Sequence, residues 1–286
     1  MRSQPSYHQR YARTIDPRWK GLRSALVPAL GPTGNIIKDV SGFKKDATLE
    51  NMDPDVDWGV DEKGYALLFD GVDDRVNLGD DRSFTDAISI FAYIKTPSLT
   101  TGFQDSGWMA REAAAGAPFV SWALRMAGDD FILEPSFLLG ISGSLESTGS
   151  AAALLVSTIY SVLGTWKSGD FLRFYTNGVE TAASASTQSG TISYGDFNNY
   201  LGWNEIDDEY AATNIYASYM FDRQLNASDA LELHYDYLAP VRAKRRNYWR
   251  TVPAAAPGGR VMSSLVRHGG LAAAGGLAGP GGGLAA

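Results

Sequence analysis

The sequence predicts an all-β body, and three observations carry that prediction. Residues 66–79, Ala-Leu-Leu-Phe-Asp-Gly-Val-Asp-Asp-Arg-Val-Asn-Leu-Gly, read as a strand, a tight acidic turn and a second strand. Ile88, Ile90, Ala92 and Ile94 recur at every second position, as do Trp122, Leu124 and Met126, which is the period of strands with an apolar face. Asn177-Gly178 is the strongest hairpin signal in the chain, because both central positions of that turn need positive φ.

Taken in order, residues 1–21 form a basic arm in which Pro5 and Pro17 break any helix, while Tyr7, Tyr11 and Trp19 are apolar anchors. Residues 22–240 make the domain. In its 66–79 run, Leu68 lies opposite Leu67 and Phe69, so the first strand is apolar on both sides. Asp70-Gly71 opens the turn, and the Asp73-Asp74 pair is expected to hold it in solvent. Val76 and Leu78 alternate with Arg75 and Asn77, as in a strand with one buried face. Segment 136–165 mixes Ser, Gly and Ala with Leu154, Leu155 and Val156, and reads as a loop region bearing strands. One short helix follows: Asn226 caps it, Asp229 supplies the capping-box acid, Leu231 and Leu233 follow, and Pro240 stops it. Residues 241–286 form a second arm, basic at first and then rich in Gly, Ala and Leu. Its end contains three hexamers, 269–274, 275–280 and 281–286. These suit a flexible tail, or an extended strand anchored on a neighbour by Leu271, Leu277 and Leu284.

Composition narrows the function. The 286 residues contain no cysteine, which excludes disulfides, thiolate metal sites and cysteine nucleophiles. Met-Arg-Ser-Gln-Pro lacks the apolar stretch of a secretory signal, and no apolar run is long enough to span a membrane. The net charge is −7, unevenly spread. Residues 1–23 carry six basic side chains and one acid, residues 241–286 carry seven and none, and residues 24–240 carry 12 basic and 31 acidic. An acidic body with basic ends suits docking of those ends on an acidic surface.

The run 66–79 resembles the FDGxDDxVxLG signature of laminin-G-like, concanavalin A-like jelly-roll domains. Asp39-Val-Ser-Gly42 with Ala47-Thr-Leu49, the strand Ile88–Lys95, Leu172–Gly178, Leu201-Gly202 (read as opening a strand) and Ile215–Phe221 with the following Asp222–Asp229 resemble further pieces of the same pattern, in the same order. The chain departs from it at Phe43-Lys44-Lys45-Asp46 and at Tyr93. The resemblance implies a jelly-roll β-sandwich over roughly residues 22–238. The run Arg242, Lys244, Arg245, Arg246, Tyr248, Trp249, Arg250 before a Gly-Leu-Ala tail narrows the resemblance to virion proteins of tailed bacteriophages. That implies a non-enzymatic structural protein on a capsid, tail or fibre, assembled in the host cytoplasm. Those seven residues would dock on other virion proteins, and the protein would be a homo-oligomer, as phage surface trimers are. A short basic run after an acidic body favours protein docking over nucleic acid, and no membrane partner is expected.

Other constellations set the alternatives. Glu205, Asp207 and Glu209 have the spacing of the E-x-D-x-E strand by which laminarinase-type hydrolases, sharing this fold, cleave glycosides. Charged Asp208 and the alignment instead place the segment in a solvated loop. A carbohydrate-binding surface is the second functional reading, with Trp108, Trp122 and Trp203 as candidates, Trp122 more naturally core. Asp70, Asp73 and Asp74 have the oxygen ligands that calcium takes, although a solvated turn is the simpler expectation and no cofactor is required. His8, His234 and His268 lack ligand spacing, and no phosphate loop, nucleophile elbow or metalloprotease motif is present.

Overall fold

The computed structural model describes residues 17–98, 107–112, 120–127, 133–150, 152–206 and 208–242. Among them the strands are β1 (Leu22–Leu26), β2 (Ile36–Ile37), β3 (Ala47–Glu50), β4 (Trp58–Asp61), β5 (Gly64–Asp70), β6 (Arg75–Gly79), β7 (Ala87–Lys95), β8 (Gly107–Glu112) and β9 (Val120–Ala127). They continue as β10 (Glu134–Ile141), β11 (Ser144–Gly149), β12 (Ile159–Lys167), β13 (Arg173–Thr176), β14 (Val179–Ala183), β15 (Asn199–Leu201), β16 (Trp203–Asn204), β17 (Glu209–Tyr210) and β18 (Ala212–Phe221), before helix α1 (Ala227–Tyr235). The first sheet runs β14-β13-β12-β7-β18-β5-β4, with β1 also paired to β18. The second runs β11-β10-β9-β8-β15-β6-β3-β2, and β16 and β17 form a separate hairpin. The result is an all-β sandwich of two antiparallel sheets with one short C-terminal helix, as the strand pattern and the resemblance predict.

The main core lies between the sheets. Ile88, Ile90, Ala92 and Ile94 of β7 meet Trp122, Leu124 and Met126 of β9 and Phe137 of β10. The alternation read in the sequence gives β7 one apolar face, yet both faces are buried. On the far side Phe91 and Tyr93 lie in a second cluster with Trp19, Tyr219, Leu225 and Leu233. Phe91 stacks on its cross-strand partner Tyr219 at 5.7 Å, and Tyr93 stacks on Tyr237 at 4.3 Å. The outer face of the first sheet is therefore covered by the N-terminal segment, α1 and the turn after it.

Trp19, within the segment read as an arm, sits in a 3-10 turn and is fully buried, its ring 6.0 Å from that of Phe221. Beside it, Arg18 donates to both carboxylate oxygens of Glu232 in α1, at 2.8 and 3.0 Å. Asn226 accepts from the Ser228 and Asp229 amides, and Asp229 accepts from the Asn226 amide, completing the expected capping box. The buried positions of α1 are Ala230 and Leu233, whereas Leu231 is exposed. The helix ends at Tyr235, before Pro240, because Asp236 leaves helical φ/ψ.

Several local expectations need correction. β5 belongs to the first sheet and β6 to the second, so the acidic turn between them crosses the sandwich. Asp74 is consequently not in solvent: it is 3 % exposed, and its carboxylate accepts the Asp70 amide at 2.9 Å. Segment 136–165 is mostly strand, comprising most of β10 and β12 and the whole of β11; a β-carbon would collide with the paired strand β10 at Gly149 and with Phe137 of the opposite sheet at Gly164. Leu201 closes β15 rather than opening a strand. Gly202 follows at φ +79°, with no room for a side chain against Phe69. Asn177 and Gly178, at φ +51° and +77°, turn β13 into β14 as expected.

The Asp39-Val-Ser-Gly42 motif has a clear physical role. Asp39 is fully buried and accepts from the Ala25, Ser41 and Lys45 amides and from the Ser41 hydroxyl, at 2.8 to 3.0 Å. One carboxylate thereby satisfies the backbone of the loop that leads into β3.

Candidate functional site

The outer face of the second sheet carries the most elaborate arrangement of polar and aromatic side chains among the described residues. The alternation in β6 turns Arg75 and Asn77 outward while Val76 and Leu78 enter the core. Cross-strand register sets Thr48 of β3 and Tyr200 of β15 on either side of Asn77, and Ala110 of β8 beyond Tyr200. Ala123 and Leu138 continue this row across β9 and β10. Glu50, opposite Arg75, accepts from the Arg75 guanidinium at 2.8 Å and from the Asn77 amide at 2.9 Å. Burial works against the Arg75 charge, but the bond to Glu50 and its charge outweigh that and raise the guanidinium pKa.

Over this row folds the β16–β17 hairpin. Trp203 meets Tyr200 edge-on, with ring centres 4.6 Å apart and planes at 89°, and stacks on Tyr210 at 6.1 Å. The Arg75 guanidinium lies 4.5 Å from the Trp203 ring and 5.7 Å from the Tyr200 ring. The Trp203 indole donates to Asp208 at 3.2 Å. Ile206, at the hairpin tip, packs on Ala110, Val120, Ala123 and Leu138. Tyr200 is thus held in one orientation by contacts on two sides.

Beside Tyr200 opens a cavity of about 250 Å³, lined by Asp80, Asp196, Phe197, Asn198, Tyr200 and Glu205. Burial pushes the Glu205 carboxyl above its usual range, with the Arg75 charge opposing. A second cavity of about 530 Å³ is lined by Lys44, Lys45, Thr48, Asn77 and Asp81 among others, and Asp80 borders both. Lys45 is held by Asp81 at 2.6 Å, whereas Lys44, at φ +57°, is exposed. Lys44, Lys45 and Asp46 of the departure at 43–46 therefore line the second cavity, and the two cavities sharing Asp80 form one groove. Flat aromatic faces beside carboxylate and amide oxygens can hold a polyhydroxylated ring by stacking and hydrogen bonds.

The profile of the concanavalin A-like lectin/glucanases superfamily matches residues 70–230. The chain belongs to this superfamily. No curated protein matches this concanavalin A-like chain by sequence. Among solved structures, its fold is similar to the binding domain of Paraclostridial Mosquitocidal Protein 1, with TM-score 0.59, 12% identity, and coverage of 77% of this chain and 53% of that one. It is similar to domain 4 of a GH43 extracellular arabinanase from Geobacillus stearothermophilus in complex with arabinotriose, with TM-score 0.55, 13% identity, and coverage of 74% and 98%. It is also similar to Trypanosoma rangeli sialidase in complex with sialic acid, with TM-score 0.53, 15% identity, and coverage of 79% and 36%. The concanavalin A-like chain thus spans about half of the mosquitocidal binding domain, a third of the sialidase and nearly all of the arabinanase domain. At these identities the likeness is one of fold.

The remaining sequence candidates of this concanavalin A-like protein fall elsewhere. Trp108 and Trp122 are fully buried in the core, as expected for Trp122 and against the reading of Trp108 as a sugar contact. Trp203 is 9 % exposed and packs edge-on against Tyr200. Glu205 and Glu209 flank the turn of a hairpin, so strand alternation does not align the E-x-D-x-E residues; Asp207 lies outside the described residues. The Asp70, Asp73 and Asp74 carboxylates come within 4.8 Å of one another, but Asp70 and Asp74 already accept the Val72 and Asp70 amides. His234 faces Ser161, while His8 and His268 lie outside the described residues. Of the docking residues, Arg242 pairs with Asp236; Lys244, Arg245, Arg246, Tyr248, Trp249 and Arg250 lie outside the described residues. Sequence reasoning missed Tyr200, Phe197 and Asn198. The outward alternation of Arg75 and Asn77 was the available signal, because it marks the face on which they sit.

Proposed function

We propose that this protein is a carbohydrate-binding module without catalytic activity, holding its ligand in the groove on the outer face of the second sheet. The observation that carries the reading is Tyr200, locked by Trp203 and Arg75 at the wall of a cavity that also offers Asn198 and carboxylates. The likeness of nearly the whole arabinanase domain, solved with arabinotriose, supports the reading. So does the likeness to the binding domain of a botulinum neurotoxin solved with SialylT, at TM-score 0.56 and 14% identity. The test is retardation of the full chain in gels containing soluble polysaccharides of differing charge, together with a glycan array. Binding to at least one glycan that Tyr200→Ala abolishes is the expected result. Binding unaffected by Tyr200→Ala, or no binding at all, overturns it.

A second reading, compatible with the first, makes the protein a structural component of a bacteriophage particle anchored by its basic ends. The ion pair between Arg18 and Glu232 favours it, since it brings both described ends of the chain onto the first sheet's outer face, away from the groove. Loss of incorporation on deleting residues 241–286 is the expected outcome. Truncated protein that still copurifies with particles sinks it.

A further inference from the structure

The groove is not electrically neutral, and its charge names a class of ligand. This inference rests on the carbohydrate-binding reading. The wall of the smaller cavity presents three carboxylates, Asp80, Asp196 and Glu205, and no side-chain cation. None of the three is held in an ion pair among the described residues.

The two guanidinium groups nearby lie behind the wall, where Arg111 offsets part of the charge of Asp80 and Asp196, and Arg75 part of that of Glu205. Arg111 is 5 % exposed, donates to the main-chain oxygens of Asp80 and Gly195 at 2.7 and 3.2 Å, and lies over the Tyr194 and Phe197 rings. Arg75 is engaged by Glu50. Independently of the acids, the cavity has aromatic walls in Tyr200 and Phe197, with Tyr200 fixed before any ligand arrives.

Asp80 and Asp196 are exposed and Glu205 is half-buried, so a ligand entering here strips water chiefly from Glu205, which is costly unless it brings countercharge. A neutral sugar leaves that cost unmet. A carboxylated sugar adds repulsion to it. An ammonium group supplies charge-assisted hydrogen bonds to the carboxylates, while the sugar ring lies on the aromatic faces. Burial raises the Glu205 carboxyl, with the Arg75 charge opposing, so a further cation beside it would favour the ionised form.

We infer that the cavity bounded by Asp80, Asp196, Glu205, Tyr200 and Phe197 binds a saccharide bearing a free amino group, of the glucosamine class, in preference to its N-acetylated, neutral or acidic counterparts.

The test uses isothermal calorimetry on the full chain in mildly acidic buffer of moderate salt. The probes are a β-linked glucosamine tetrasaccharide, the fully N-acetylated tetrasaccharide of the same backbone, and a sialylated oligosaccharide. The glucosamine probe should bind at least about tenfold more tightly than the other two, the yield of one or two charge-assisted bonds. The double variant Asp196→Asn/Glu205→Gln should erase that preference while keeping the wild-type circular dichroism spectrum. A control of equal net charge, Asp55→Asn/Glu62→Gln, neutralises exposed acids that line neither cavity and should preserve the preference. Equal or tighter binding of the acetylated or sialylated probe overturns the amine assignment and leaves the carbohydrate-binding reading standing. A preference lost equally in the control reduces the effect to bulk charge and also overturns it. No binding of any saccharide, there or on the array, removes both.

Discussion

Gly164 of β12 lies directly beneath the Phe137 ring of β10, so the two sheets touch where one of them has no side chain. A β-carbon built on Gly164 collides with the ring, and both residues are in the interior. Gly164→Ala is therefore expected to lower unfolding free energy by about 1–3 kcal/mol through overpacking. Chemical denaturation of the variant checks this. An unchanged midpoint means that the sheets can separate freely there.

The N-terminal segment is also expected to be structural from Trp19 onward. Trp19→Ala empties a fully buried site against Phe221 and should cost about 3–5 kcal/mol. A melting temperature equal to wild type would place Trp19 outside the cooperative unit.

Asn226 stabilises α1 by accepting two amide bonds at its start. Asn226→Ala should cost about 1 kcal/mol, and Asn226→Asp should restore most of it. Denaturant midpoints of the three proteins decide this.

Burial pushes the Asp74 carboxyl up to about 6, reinforced by the charges of Asp70, Asp57 and Asp73 and opposed by its bond from the Asp70 amide. A carboxyl with a higher pKa in the folded than in the unfolded state holds an extra proton when folded. Its stabilisation is complete below about pH 4 and is lost as pH rises through about 6. Asp74→Asn retains an acceptor for the Asp70 amide and carries no charge. It should be more stable than wild type at neutral pH by about 1–2 kcal/mol and lack this fall. Thermal melts across that pH range test it, and a variant less stable at neutral pH contradicts it.

Features encoded within a few residues were readable in advance. The Asn226–Asp229 box, the Asn177-Gly178 turn and the inward alternation of Val76 and Leu78 each depend on neighbours along the chain, and each forms as expected. Asp74 was misjudged because its burial follows from the crossing between sheets, which the local acidity of the turn does not reveal. Trp108 and Trp122 illustrate the same limit: indole chemistry suits sugar contact and core equally, and sheet position decides. The groove was least legible of all, because Tyr200 meets Asn77 only through the pairing of β15 with β6.

β18, the last strand among the described residues, lies between β7 and β5 in the first sheet and also pairs with β1, Leu22 opposite Phe221. A nascent chain thus emerges with β5 and β7 each lacking a neighbour, and the sheet cannot close until residues 212–221 arrive. Long-range closure of this kind folds slowly, and open strand edges invite association between incomplete chains. The cost of this topology falls on synthesis: the apolar strands written first must be kept apart from one another until nearly the whole domain has been made.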